Sequence, residues 1–242
     1  MSNIHVSKDI NALSLDFANW LVDYADEVLA KKDTFTLALS GGSTPKLLHE
    51  LLVKEPFFSR IQWKKWIFFM GDERFVPETD ERSNAKMAYD TMLNHAPVPK
   101  EHIHFYQTEA LTPTDSATDY EKLLKKYFEG KETGLDLVIL GMGDDGHTLS
   151  LFPGQPIIHE TAKWVDSFWL EAQDMYRITL THPVANHAAQ VAFLVSGEKK
   201  VHALYEVLKG AYNPDLYPSQ IIKPVPGELH FFIDEAAAEG LK

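Results

Sequence analysis

Residues 135–147 read Leu-Asp-Leu-Val-Ile-Leu-Gly-Met-Gly-Asp-Asp-Gly-His, an apolar run that passes directly into a glycine-rich acidic turn. The apolar residues at 137–140 do not alternate with polar ones, which is typical of a strand buried on both faces of a parallel sheet. In such sheets, ligands bind at the carboxyl ends of the strands, where the chain turns towards the next helix. The turn that ends at His147 is therefore a candidate part of a binding site.

Similar runs predict strands elsewhere, at 34–40, 66–70, 102–106, 176–181, 190–196 and 229–234, with a further one at 164–170. Helical spacing of apolar residues and helix start signals predict helices at 10–30, 45–53, 84–93, 116–128 and 198–208. Strands that alternate with helices indicate βαβ units. We therefore expect an α/β fold, a single domain over 1–242, with a mainly parallel, Rossmann-like sheet and helices on both faces.

The composition limits the possible classes of function. The chain has 242 residues, no cysteine and a formal net charge of −12. The lack of cysteine excludes disulfides, thiolate metal sites and a cysteine nucleophile. Because a strongly acidic chain repels nucleic acids and anionic membranes, we expect neither as a partner. An anionic ligand must then be bound by a few local arginines, lysines or helix N-termini.

The sequence also limits where the protein is expected. No stretch approaches the roughly 18 uninterrupted apolar residues that a membrane span needs. The first 11 residues have no basic region followed by an apolar core, so we expect no signal peptide. These features favour a cytoplasmic protein, and they predict no particular oligomeric state.

The first candidate loop lies at the end of the predicted strand 34–40 and contains Ser40, Gly41, Gly42, Ser43 and Thr44. The two glycines allow the backbone to come close to a ligand, and the hydroxyls and the free N–H groups of the next helix can bind one. The loop suits a phosphate or a sugar hydroxyl, although an ordinary capped turn is the alternative. It lacks the Gly-Lys-Ser/Thr of a Walker A loop.

The second candidate loop follows the predicted strand 66–70 and contains Asp72, Glu73 and Arg74. Arg74 suits a bidentate contact with phosphate, and the two carboxylates suit contacts with sugar hydroxyls. A solvated turn with a local ion pair is the alternative. Downstream, Ser83 and Asn84 resemble the N-cap of the next helix.

The third candidate loop matches the pattern Gly-x-Gly-x-x-Gly at 141–146, which also occurs in dinucleotide-binding folds. Two features argue against a dinucleotide. Asp144 and Asp145 lie where a pyrophosphate would bind, and Pro153 follows too soon for the long helix of that fold. We therefore interpret the turn as the support of His147.

His147 is the candidate general base, because a neutral imidazole accepts a proton from water near neutral pH. Asp145 precedes it by two positions and is a candidate to orient the ring. The other strand-associated histidines lack metal-binding spacing and are interpreted as structural: His102, His104, His182 and His187. Arg177, at the start of the predicted strand 176–181, is a further candidate to enter the site.

Together these segments resemble the 6-phosphogluconolactonase family. The matching stretches, in the order of the chain, are Leu-Ser-Gly-Gly-Ser-Thr-Pro at 39–45, Gly-Asp-Glu-Arg-Phe-Val-Pro at 71–77 with Ser-Asn at 83–84, Leu-Gly-Met-Gly-Asp-Asp-Gly-His-Thr at 140–148, Ser-Leu-Phe-Pro-Gly at 150–154, Arg-Ile-Thr-Leu-Thr at 177–181 and Phe-Phe-Ile-Asp-Glu-Ala-Ala at 231–237. One departure is that residues 171–176 lack the prolines typical of the family before Arg177.

The resemblance implies a fold shared with glucosamine-6-phosphate deaminases and ribose-5-phosphate isomerases. It implies hydrolysis of 6-phosphoglucono-1,5-lactone to 6-phosphogluconate in the pentose phosphate pathway, with no metal or organic cofactor. The family's catalytic histidine falls on His147, and its anion-binding arginines fall on Arg74 and Arg177.

The hypothesis that follows is that His147 activates a water for attack on the lactone carbonyl. Either Asp145 or Asp72 orients the imidazole, and backbone N–H groups near Gly42 or Gly143 stabilise the oxyanion. The alternatives are a glucosamine-6-phosphate deaminase or isomerase and a sugar-phosphate-binding regulator without turnover. No acidic residue directly follows His147 where the deaminases carry Asn-Glu-Pro, which favours the lactonase.

Overall fold

The computed structural model describes residues 2–129, 134–225 and 227–241. Within this part of the chain there are ten strands: β1 (Asn3–Ser7), β2 (Phe35–Leu39), β3 (Trp66–Met70), β4 (Asp72–Arg74), β5 (Ile103–His104), β6 (Leu137–Gly141), β7 (Val165–Leu170), β8 (Met175–Leu180), β9 (Gln190–Val195) and β10 (Glu228–Asp234). Seven of them form one sheet in the order β1-β10-β9-β6-β2-β3-β5, and every neighbouring pair is parallel. The predicted α/β fold with a mainly parallel sheet is confirmed.

Helices surround the sheet: α1 (Ile10–Leu29), α2 (Ser43–Leu52), α3 (Phe57–Arg60), α4 (Asn84–Thr91), α5 (Pro113–Phe128), α6 (His182–Asn186) and α7 (Val201–Lys209). Side-chain caps fix where several of them begin. The Asp9 carboxylate accepts hydrogen bonds from two N–H groups of α1, and Thr112 accepts one from the first turn of α5. None of the described helices is long and apolar enough to cross a membrane.

The central strands β2 and β3 are buried along their whole length, as the non-alternating sequence predicts. A buried carboxylate fixes the point at which β6 begins to pair with β2. Asp136, just before β6, accepts hydrogen bonds from the N–H of Thr36 at 2.9 Å and its Oγ1 at 2.8 Å, while Lys32 Nζ lies 2.5 Å from Asp136. These bonds tie β6 to β2 in one register.

The edge strand β1 is not predicted from the sequence. Its pattern is weak because Asn3, Ile4 and Val6 are exposed and only Ser7 is fully buried. The strand is determined by its pairing with β10, in which Ile4 lies opposite Phe231. A short edge strand of this kind carries little periodic signal of its own.

The runs at 164–170 and 176–181 are strands, as predicted, but they belong to a second sheet that the sequence does not predict. These runs form β7 and β8, which pair antiparallel with each other and with β4 in a separate sheet of order β4-β8-β7. Residues 72–74, which the sequence analysis treats as a loop, are the three-residue strand β4. A strand this short and this charged has no apolar periodicity from which to predict it.

Gly71 joins the two sheets at the carboxyl end of β3. Its N–H donates to the carbonyl of Leu39 at 2.9 Å, and its carbonyl accepts from the N–H of Leu180 at 2.8 Å. Because β6, β2 and β3 are adjacent and parallel, the loops that follow them open at the same edge. The small sheet is therefore attached where the three candidate loops meet.

One buried histidine predicts how stability depends on pH. His49 in α2 is 1% exposed, and its Nδ1 lies 3.1 Å from Thr91 Oγ1, which itself donates to the carbonyl of Met87. Thr91 Oγ1 is therefore the acceptor, and His49 Nε2 has no partner among the described residues. Burial lowers the pKa of His49 from 6.5 to about 4.

Between these two values the unfolded chain binds a proton that the folded chain does not. We therefore expect the free energy of unfolding to fall as the pH falls from 6.5 to about 4, by at most about 1.4 kcal/mol per pH unit for this group. Other partly buried histidines contribute in the same direction. Denaturant unfolding across this range should give a shallower slope for His49→Asn than for the wild type. The exposed His95→Asn should keep the wild-type slope, and equal slopes in both variants would contradict the assignment.

Candidate active site

A cavity of about 240 Å³ lies at the carboxyl edge of β2, β3 and β6. Its described lining residues are Ser40, Gly41, Gly42, Asp72, Arg74, Asn84, Gly141, Met142, Gly143, His147, Leu149, Phe152, Gln173, Arg177 and Lys200. The structure thus brings residues from all three candidate loops together with Arg177. The third loop is followed by a turn and not by a long helix, as expected against a dinucleotide site.

Two of the predicted phosphate-loop residues lie outside this lining. Ser43 and Thr44 form the first turn of α2, where Ser43 is exposed and Thr44 is buried. Ser40, Gly41 and Gly42 face the cavity themselves. The part of the loop that is open to a ligand therefore consists of these three residues, with the N-terminus of the ten-residue helix behind them.

Asn84 joins the first loop to the second. Its amide nitrogen donates to the carbonyl of Asp72 at 2.8 Å, and its Oδ1 accepts from Arg74 Nη1 at 2.6 Å. A Cβ on Gly41 would overlap this same amide, so only glycine permits such a close approach. Asn84 therefore holds Arg74 at a fixed position beside the glycine loop at 40–42.

Glu73 serves the start of α4 and not the cavity. Its carboxylate accepts hydrogen bonds from the N–H groups of Arg74, Asn84 and Ala85 at 2.7–2.8 Å, and from the Ser83 hydroxyl at 3.1 Å. Burial raises the pKa of Glu73, and these bonds act in the opposite direction. The Ser83 hydroxyl also accepts from an N–H of the first turn, so the predicted cap at Ser83 and Asn84 is confirmed.

Asp72 and Arg177 form a buried ion pair. Arg177 Nη2 lies 2.6 Å from Asp72 Oδ2, and the two side chains are 4% and 7% exposed. Ser150 donates to the same carboxylate oxygen at 2.7 Å, and Gln173 Oε1 accepts from Arg177 Nη1 at 2.9 Å. Asp72 thus orients Arg177, and the sequence hypothesis that it orients His147 has no support in these contacts.

Arg74 and Arg177 lie directly opposite each other in the antiparallel pair β4–β8. Like charges in this relation repel one another unless an anion lies between or near them. Burial lowers the pKa of the Arg177 guanidinium, Asp72 acts in the opposite direction, and the charge of Arg74 lowers it further. The described hydrogen bonds of Arg74 go to the neutral Asn84 amide and the Arg82 carbonyl, so its charge remains available to a ligand.

Asp145 orients His147 from the back of the ring. His147 Nδ1 lies 2.6 Å from Asp145 Oδ1, and the same oxygen accepts from the His147 N–H at 3.1 Å. Because a carboxylate only accepts, Nδ1 carries the proton, and Nε2 of the neutral ring is free to take another. Burial raises the pKa of Asp145, but its hydrogen bonds and attraction to His147 outweigh burial and lower it.

Gly143 packs against this pair. A Cβ at this position would overlap both the imidazole of His147 and the carboxylate of Asp145, so glycine is needed for the contact. The N–H of Gly143 donates to the carbonyl of His147 at 2.9 Å. This bond occupies the group that the sequence analysis considers as an oxyanion donor, which leaves Gly42 as the candidate of the two.

The sequence does not assign several of the lining residues to the site, among them Lys200, Gln173, Phe152 and Asn84. Lys200 precedes α7 and lies 2.5 Å from Asp144, at the mouth of the cavity. Gln173 and Phe152 both contact Arg177, and Asn84 contacts Arg74. A lysine just before a helix is too common a pattern to single out Lys200, so only the fold shows that it faces the cavity.

The described residues contain no group of three or more histidines, cysteines or carboxylates that could hold a metal ion. The polar side chains that line the cavity are Ser40, Asp72, Arg74, Asn84, His147, Gln173, Arg177 and Lys200, and the backbone of a glycine loop lies beside them. Asp145 holds His147 from outside this lining. This set suits an anionic ligand that carries a group able to react with a base-activated water.

Comparison with known proteins agrees with this chemistry. The family model described as glucosamine-6-phosphate isomerases/6-phosphogluconolactonase matches residues 8–231. A 6-phosphogluconolactonase 3, chloroplastic, of Arabidopsis thaliana is 37% identical, covering 95% of this chain and 72% of the relative. A 6-phosphogluconolactonase of Synechocystis is 37% identical, covering 89% and 88%. The solved 6-phosphogluconolactonase of Trypanosoma brucei has a TM-score of 0.86 at 26% identity, covering 100% and 99%.

The buried ion pair predicts a large effect on stability. Asp72→Asn removes the charge that compensates Arg177, which we expect to lower the free energy of unfolding by roughly 3 kcal/mol or more. Asp23→Asn is the matched control, because Asp23 forms an exposed pair with Arg60 at 2.7 Å. That change should cost less than about 1 kcal/mol. Denaturant unfolding of both variants measures the difference, and equal losses would contradict the role assigned to burial.

Proposed function

Because this chain belongs to the family of glucosamine-6-phosphate isomerases and 6-phosphogluconolactonases, we propose that it hydrolyses 6-phosphoglucono-1,5-lactone to 6-phosphogluconate. This reaction belongs to the oxidative branch of the pentose phosphate pathway. The observation that carries the proposal is the His147–Asp145 pair in the same cavity as Arg74, Arg177 and Lys200. A base and an anion-binding cluster in one cavity suit a lactone that bears a phosphate.

The phosphate is bound by the cationic side of the cavity. Arg74 supplies a guanidinium without a charged partner among the described contacts, and Arg177 supplies one fixed by Asp72. Lys200 adds a third cation once its exposed partner Asp144 is exchanged for the ligand. The backbone N–H of Gly41, in the loop before α2, offers a further donor. The net charge of −12 makes these short-range contacts necessary, since the whole chain repels anions.

The reaction begins at Nε2 of His147. This nitrogen takes a proton from water as the water oxygen attacks the lactone carbonyl, and a tetrahedral oxyanion forms. Asp145 stabilises the resulting imidazolium through Nδ1. When the intermediate collapses, the bond between the carbonyl carbon and the ring oxygen breaks. His147 then returns the proton to the leaving ring oxygen, and the product is the open-chain acid.

The oxyanion requires donors that are already in position. We assign this part to the N–H groups at Gly42 and at the first turn of α2, because the N–H of Gly143 is already bonded. Asp72 serves the reaction by holding Arg177, and Gly143 serves it by admitting the His147–Asp145 pair. No step in this sequence requires a metal or an organic cofactor.

The family also contains the isomerase activity, so the assay must separate the two. The curated relatives at 37% identity are named 6-phosphogluconolactonases. Purified protein should accelerate the hydrolysis of 6-phosphogluconolactone beyond its spontaneous rate and release no ammonia from glucosamine-6-phosphate. Ammonia release without lactone hydrolysis would support the deaminase, and neither activity would support a binding protein without turnover.

The proposal also covers the compartment and the binding partner. We propose the cytoplasm as the compartment, although one of the two curated relatives reported above is named chloroplastic. The proposed partner is the small phosphorylated lactone, with neither nucleic acid nor membrane.

The general base predicts a large kinetic effect. His147→Ala should leave a folded protein whose kcat is lower by about 10²–10⁴-fold, or roughly 3–5 kcal/mol of barrier, since the water must then react without activation. KM for the phosphorylated lactone should change little because the cationic contacts remain. The exposed His95→Ala is the matched control. Steady-state kinetics with the spontaneous rate subtracted measure both, and near-wild-type kcat in His147→Ala would remove it from the mechanism.

The phosphate contacts predict a dependence on the substrate. Arg74→Ala should lower kcat/KM for the phosphorylated lactone by about one to two orders of magnitude, because a charge-assisted contact contributes about 1.5–3 kcal/mol. Arg177→Ala should do the same. Both changes should matter far less for unphosphorylated gluconolactone, and Arg74→Lys should restore only part of the loss.

Arg74 is the cleaner test, because Arg177→Ala also leaves Asp72 buried without its partner. Arg60→Ala, at an exposed pair with Asp23, is the control for loss of an arginine. Both lactones should be assayed with all variants at a temperature where each is folded. Equal losses on the two substrates would assign the arginines to the reacting centre or the fold.

A further inference from the structure

Phe152 lines the cavity and has no part in the mechanism above. Its ring stacks on the imidazole of His147, with ring centres 4.2 Å apart and planes 29° from parallel. The guanidinium carbon of Arg177 lies 5.5 Å from the centre of the same ring. Phe152 is 8% exposed, so its place is determined by packing. It is therefore in contact with both the base and a phosphate-binding cation.

The chain around Phe152 is held by its own hydrogen bonds. The N–H of Leu151 donates to the carbonyl of Thr148 at 2.9 Å, and the N–H of Gln155 donates to the carbonyl of Phe152 at 3.1 Å. Thr148 Oγ1 donates to the carbonyl of Gly141 at 2.8 Å, which fixes this segment to the end of β6. The ring of Phe152 thus projects from a segment anchored at several points.

A hydrogen bond alone does not fix an imidazole. The bond from Nδ1 to Asp145 sets one edge of the ring but leaves the plane free to tilt about that contact. Asp145 itself is half exposed and belongs to the same short turn, so it is a weak constraint on orientation. A flat contact with a buried ring restricts the tilt, because the plane of His147 then packs against the plane of Phe152.

Gly143 completes the constraint from the edge of the imidazole. Its backbone lies so close to Nδ1 that a Cβ would overlap the ring. His147 is thus confined by the backbone of Gly143, the carboxylate of Asp145 and the face of Phe152. With these three contacts, Nε2 is directed away from Asp145 and towards the cavity that His147 lines.

We propose that Phe152 is a positioning residue for the reaction: its aromatic face holds the imidazole of His147 at the tilt from which Nε2 activates water. The inference rests on the proposed function, in which His147 is the base. A displaced catalytic group loses rate even when the substrate is bound normally. An aliphatic side chain of similar size fills the volume but does not present a flat face.

The experiment compares Phe152→Leu and Phe152→Tyr with Phe58→Leu. Phe58 lies in α3 near Trp63, away from the cavity, and controls for the loss of a phenyl ring from packing. Each variant is assayed for kcat and KM on phosphorylated and unphosphorylated gluconolactone. Phe152→Met is a second aliphatic variant, used if Phe152→Leu does not fold.

We expect Phe152→Leu to lower kcat about ten- to a hundredfold on both lactones, with little change in KM, since the base acts on both. Phe152→Tyr should keep most of the wild-type kcat, and Phe58→Leu should keep all of it. Wild-type kcat in the aliphatic variants, an equal loss in Phe152→Tyr, or a loss confined to the phosphorylated lactone would each overturn the proposal. The last result would assign Phe152 to Arg177 instead.

A second readout is independent of turnover. Proton NMR of the His147 ring, assigned with His147→Gln, should show a ring-current shift in the wild type and Phe152→Tyr that is lost in Phe152→Leu. An unchanged shift in Phe152→Leu would also overturn the proposal. If the wild type hydrolyses neither lactone, the proposed function fails, and this shift still decides whether Phe152 holds the imidazole.

Discussion

The carboxylate of Asp72 and the guanidinium of Arg177 lie 2.6 Å apart where both side chains are almost fully buried. Removing two charges from water is costly, and their attraction offsets this cost only with good geometry and further hydrogen bonds. Ser150 and Gln173 supply such bonds. Asp72 begins β4 and Arg177 lies in β8, so the pair joins two strands of the small antiparallel sheet just after Gly71, which connects that sheet to the carboxyl end of β3. The position of the cavity follows from this junction.

The same two strands place two arginines side by side at the site. The register of β4 and β8 places Arg74 opposite Arg177, and Asp72 neutralises only the second of these charges. Arg74 is held by the neutral amide of Asn84, so its charge is directed but not cancelled. Lys200 is compensated by Asp144, whose side chain is 55% exposed. An anion that binds here reduces the repulsion between the two arginines. It also replaces the solvated carboxylate of Asp144 as the partner of Lys200.

The side of the cavity that contains His147 is held together by a different kind of contact. His147 is oriented by one hydrogen bond to Asp145, by the close backbone of Gly143 and by the ring of Phe152. These contacts are short and local, and they come from a single stretch after β6. His147, the proposed base, is therefore positioned by its own loop, whereas Arg74, Arg177 and Lys200 come from β4, β8 and the approach to α7. The Arg177 guanidinium near Phe152 is the point at which the two parts meet.

The sequence by itself determined the parallel core and the segment that carries His147, the proposed base. Runs such as 137–140 are apolar without alternation because both faces of β6 are buried, and glycine turns mark where such strands end. Only the tertiary structure decided that Asp72 pairs with Arg177 while Asp145 pairs with His147. It also decided that residues 72–74 are a strand and that Lys200 reaches the cavity. The reason is physical. Local patterns report burial and backbone preference, whereas the partner of a charged side chain depends on which distant strands are placed side by side.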